Sequence, residues 1–75
     1  MDLRQVFAAN LRRFRHEKGL SQEELAYLAD INRTYISKLE TGSSWAGLEL
    51  IGKLAKVLSR QPAEFLLPSK GRTKV

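Results

Sequence analysis

The sequence contains no cysteine and a single histidine, His16. Disulfide staples and cysteine-ligated zinc are therefore excluded, and a zinc finger with them. No apolar run approaches the roughly 20 residues of a membrane span, and Met1–Asp2–Leu3–Arg4 lacks the core of a signal peptide. The expectation is a cytoplasmic chain with no membrane segment. Gly42-Ser43-Ser44 lacks the lysine of a phosphate-cradling loop, and no Ser/His/acid set is credible on so little scaffold. No enzyme activity, cofactor or metal is expected. Strand-type alternation and internal repeats are absent as well.

What is present is helical and basic. The chain has 75 residues, enough for one domain, and its 13 Lys+Arg against 8 Asp+Glu give a net charge of +5. So small a chain buries only about 60% of its unfolded surface, which favours local packing or a partner subunit. The charge is uneven: +3 over residues 1–18, −2 over 19–42, +1 over 43–67 and +3 over the last eight. An anionic partner would fit the excess, but charge alone does not name it.

Apolar spacing defines the elements. Leu3, Val6, Phe7, Leu11 and Phe14 recur at steps of three and four, predicting a helix that Gly19 ends. Ser21-Gln22-Glu23-Glu24 has the form of a capping box, opening a short second helix that stops near Asp30. Asn32 is a good N-cap for a third helix running to about Thr41, with Gly42 beyond. Leu48 to Leu58 forms a fourth, and Pro62 fits the first position of a short fifth helix that Pro68 stops. The fold expected is all-α with five helices, a domain over residues 1–67 and a basic tail over 68–75. Within that tail, Lys70, Arg72 and Lys74 are read as a solvated end.

The second and third helices, joined by three to four residues, describe a helix-turn-helix. At about 100° per residue, Arg33, Thr34, Ser37, Lys38 and Thr41 share a sector of about 140° on the third helix. No acid enters it; Asp30 and Glu40 flank it, and Tyr35, Ile36 and Leu39 lie opposite. A B-DNA major groove admits one α-helix. Arg33 could bond guanine in bidentate fashion, Thr34 could touch a thymine methyl, Ser37 permits close approach and Lys38 is a second donor. These four are the expected base contacts.

Leu11-Arg12-Arg13-Phe14-Arg15, Lys18-Gly19-Leu20-Ser21-Gln22-Glu23-Glu24-Leu25-Ala26 and Ile31-Asn32-Arg33-Thr34-Tyr35-Ile36-Ser37-Lys38-Leu39-Glu40-Thr41-Gly42 closely resemble the lambda-repressor/Cro-like domains of the xenobiotic-response-element family. The likeness runs over about residues 3–67. It implies a DNA-binding regulator, usually dimeric, reading a partly palindromic operator in double-stranded DNA. Stand-alone members of the family include phage repressors, restriction-modification controllers and some antitoxins. By the same resemblance, Gln22, Asn32, Ser43 and Ser44 fall at phosphate-contact positions, and Arg15 and Glu40 match a structural ion pair. Ala46-Gly47 after Trp45 departs from the Pro-Ser common at that point, implying a looser loop.

Trp45 could pack over the fourth helix, join a dimer interface or rest beside the DNA backbone; packing or interface is favoured. Leu50, Val57, Leu66 and Leu67 exceed what one thin core stripe needs, and with Trp45 form the expected homodimer surface. The alternative function is an antitoxin-type module whose main partner is a toxin protein.

Overall fold

The computed structural model describes residues 2–68 and, among them, contains four α-helices and one 3-10 helix. These are α1 (Leu3–Glu17), α2 (Gln22–Ala29), α3 (Arg33–Thr41), α4 (Leu48–Leu58) and the 3-10 helix Pro62–Leu66. No strand occurs among the described residues. The tail cations Lys70, Arg72 and Lys74 lie outside them.

Each boundary has a local cause. Asp2 caps α1 by accepting from the Arg4 N–H. Both halves of the capping box at α2 are made, Glu24 N–H to Ser21 Oγ at 2.9 Å and Ser21 N–H to Glu24 Oε1 at 2.8 Å. Asp30 leaves α2 in the left-handed conformation at φ 57°, which lets Ile31 N–H return to the Ala26 carbonyl at 2.9 Å. Only Asp30, Ile31 and Asn32 separate α2 from α3. Gly42 ends α3 at φ 78°, a left-handed conformation that favours glycine, with the movable Gln5 amide packed close over it.

The core is shared by every element. Phe14, Leu11, Leu25, Ile36, Leu39, Leu54 and Phe65 are all fully or almost fully buried. Phe65 stacks edge-on against Phe14 at 5.0 Å between centroids and tilts against Phe7 at 5.6 Å.

The fifth element corrects the sequence expectation in type. An α-helix there would direct the N–H of residue 68 to the Glu64 carbonyl, but Pro68 has no N–H. The buried amide of Asn10 takes over: its Nδ2 donates to the carbonyls of Phe65 at 2.8 Å, Leu67 at 2.9 Å and Glu64 at 3.2 Å. Glu64 N–H meanwhile closes an i→i+3 bond on Gln61. The segment is thus a 3-10 turn whose carbonyls are tied to α1 by the Asn10 amide, beside the packing of Phe65 on Phe7 and Phe14.

Candidate nucleic-acid interface

The three-residue turn fixes α3 against α2, and the apolar side of α3 fixes its rotation. Ile36 and Leu39 are fully buried, so the opposite side must face solvent. Arg33, Thr34 and Lys38 are exposed there and Ser37 is half-buried. Among the described residues neither Arg33 nor Lys38 enters an ion pair. Two free cations and two hydroxyls therefore stand on one face with no acid between them.

Behind that face lies a buried ionic network. Arg15 on α1 donates Nε to Glu40 Oε2 at 2.6 Å and Nη2 to Glu40 Oε1 at 3.0 Å, a two-pronged pair. Its Nη1 reaches the Leu20 carbonyl at 2.8 Å. Gln22 adds a donor to Glu40 Oε1 at 3.0 Å, and Arg12 donates to the Glu40 carbonyl. Burial pushes the Glu40 carboxyl up, but hydrogen bonds from Arg15 and Gln22, then the charges of Arg15 and His16, outweigh it and hold the group below the usual carboxylate value. With its side chain only 3% exposed, Glu40 is an ionised group inside the fold.

The residues expected at phosphates are held in different ways. Asn32 caps α3, its oxygen accepting from Thr34 N–H at 2.7 Å. Gln22 directs an amide N–H inward, to Glu40. Ser43 turns its hydroxyl to the Lys38 carbonyl at 3.2 Å and to Thr41 Oγ1 at 3.1 Å, securing the end of α3. Ser44 is half-buried beside Trp45.

The five residues expected at a dimer surface do not come together. Trp45 and Leu66 line one groove with Leu3, Leu48 and Ile51. Leu50 and Val57 are half-buried on the other edge of α4, about 180–200° around the helix from Leu48. Leu67 is exposed and lines neither.

Several contacts escape the sequence pattern. Tyr35, grouped by periodicity with the core, is half-buried and donates its hydroxyl to the Trp45 carbonyl at 2.7 Å, tying α3 to the loop before α4. Leu48, placed on α4 by spacing, is 88% exposed, and Tyr27 on α2 is 86% exposed. No group of three or more His, Cys, Asp or Glu among the described residues could hold a metal, and no described helix is long and apolar enough to cross a membrane.

Two short helices set across a three-residue turn, the second offering a basic polar face, define the helix-turn-helix class of protein. The helix-turn-helix family model matches residues 11–65, and the chain belongs to that family. It is 43% identical over 74 residues to a hypothetical transcription factor of Neisseria meningitidis serogroup B, covering 99% of this chain and 70% of that one. It is 39% identical over 66 residues to the control protein C.BamHI of Bacillus amyloliquefaciens, covering 87% and 82% respectively. The crystal structure of a hypothetical transcription factor from Neisseria superimposes with a TM-score of 0.90 at 44% identity, over 97% of this chain and 84% of that one. The restriction-modification controller C.Esp1396I, solved as a tetramer on its natural 35 base-pair operator, gives 0.77 at 31% identity, over 87% and 86%.

Proposed function

We propose that this chain is a sequence-specific transcription regulator that binds double-stranded DNA as a homodimer, α3 entering the major groove of each half of a partly palindromic operator. The acid-free face of Arg33, Thr34, Ser37 and Lys38, on a helix fixed from behind by Arg15, Glu40 and Gln22, carries this reading. The C.Esp1396I tetramer on its operator supports it by similarity. Arg33 and Lys38 read base edges, with Thr34 and Ser37 between them. Asn32 contributes its free amide, Gln22 the second N–H of its side chain, and Ser43 and Ser44 their backbone and hydroxyl groups to phosphates. Residues 1–67 make up the DNA-binding unit, working in the cytoplasm, and no catalytic step is assigned. Leu50 and Val57, on one edge of α4, supply the dimer contact.

Selection of bound sequences from a random DNA pool, with the protein's mass measured in solution, tests this. The expected product is two related half-sites centred about 34 Å apart, and a mass of two chains. Log affinity is expected to fall linearly with log salt as counterions leave the phosphates. A pool that shows no enrichment would overturn the reading.

A further inference from the structure

A groove of about 200 Å³ opens between the start of α1, the loop before α4 and α4 itself. Leu3, Phe7, Trp45, Leu48 and Leu66 form its apolar walls, and among the described residues Arg4 is its only ionisable lining residue. Trp45 is 64% exposed although large aromatic groups favour burial. The Arg4 guanidinium stands 4.7 Å from the centre of the Trp45 ring. Its Nε is the one buried side-chain polar atom among the described residues that has no hydrogen-bond partner. Asp2 Oδ1 is 4.0 Å away and already accepts the Arg4 backbone N–H at 3.0 Å. That atom is closed to solvent, but 37% of the Arg4 side chain is exposed, so its terminal N–H groups are what a ligand in the groove can reach.

We propose that this groove binds a small amphipathic carboxylate. Its apolar body lies between Leu3, Phe7, Leu48 and Leu66 and against Trp45, and its carboxylate accepts hydrogen bonds from Arg4. The charge matches, since a guanidinium offers N–H groups in a planar fork suited to two carboxylate oxygens. The size matches as well: the groove falls below the roughly 300–1,000 Å³ of drug-sized sites and suits about ten non-hydrogen atoms. The occupant would touch the loop that Tyr35 joins to α3, one hydrogen bond from the recognition helix. This goes beyond the DNA reading and stands on different residues.

Trp45 is the only tryptophan, so its emission reports the groove directly. Full-length protein is titrated with octanoate and, separately, with 1-octanol, which keeps the apolar body and lacks the carboxylate. Octanoate is expected to give a saturable shift of Trp45 emission, with 1-octanol at least about tenfold weaker. The R4Q variant, its fold checked by circular dichroism, should bind both alike; R4K, which keeps the charge without the fork, should recover part of the preference. Absence of a saturable shift, or equal binding of the two probes to the unaltered protein, overturns the proposal. So does an emission that responds to protein dilution but not to octanoate, since a second copy would then occupy the groove. No DNA is present in the assay, so its failure leaves the operator reading untouched.

Discussion

The two sides of α3 are built on opposite terms. On the inner side every named polar group has a partner: Glu40 meets Arg15 and Gln22, and its carbonyl meets Arg12. On the outer side Arg33 and Lys38 have no ionic partner among the described residues. The inner side stabilises and orients; the outer side is held ready to bond something else. Nine residues thus separate stability from recognition by helical phase alone.

The sharpest way to break this contrast is to remove one inner partner. E40A should leave Arg15 charged and largely buried without its carboxylate partner, costing about 3–5 kcal/mol. Urea unfolding should show a loss of that size. On the outer side R33A or K38A should leave the unfolding free energy within about 0.5 kcal/mol of the parent, as surface substitutions do. The same changes should cost about 1–3 kcal/mol in operator affinity and relax base preference at one position per half-site. Binding curves on the selected operator and on single-base variants measure this. Equal weakening on every sequence would make these side chains phosphate contacts instead.

Acid gives a gentler version of the inner-side change. Glu40 has a folded-state pKa below its ordinary value of 4.5, so the unfolded chain takes up its proton first as pH falls. The stability it contributes is therefore complete well above pH 4.5 and is lost as pH drops through the folded value. Denaturant midpoints measured downward from neutral pH should decline in that window, and an E40Q variant should show a flatter decline.

How much of this was legible beforehand follows from the range of each interaction. The four α-helices were readable because their causes are local: apolar spacing, the Ser21–Glu24 box, Asn32 as a cap and Gly42 as a stop. The 3-10 character of residues 62–66 was not, because Asn10 supplies its bonds from more than fifty residues away. The polar face of α3 could be drawn from phase alone. Local phase set Glu40 at that face's margin, and nothing in α3 itself reveals the buried guanidinium of α1. The expected dimer surface grouped Trp45 with Leu50 because both are surplus apolar residues. Their separation depends on the path of the loop before α4, which has no period to read.

The smallest effect expected serves as a control on the comparison, because it alters stability without touching either side of α3. Ser59 ends α4 at φ 59°, a left-handed conformation that a side chain disfavours. Its backbone is needed in that shape, since Arg60 N–H returns to the Ala55 carbonyl at 3.0 Å to close the helix end. Glycine removes the steric cost of about 1–2 kcal/mol but gives back part of it through greater freedom in the unfolded chain. S59G should therefore gain only about 0.5–1 kcal/mol in urea unfolding. Operator affinity should stay unchanged, because the cap lies at the far end of α4 from the loop that joins α3. If affinity rose with stability, recognition would depend on the global folding equilibrium, and the division of labour between the two sides of α3 would fail.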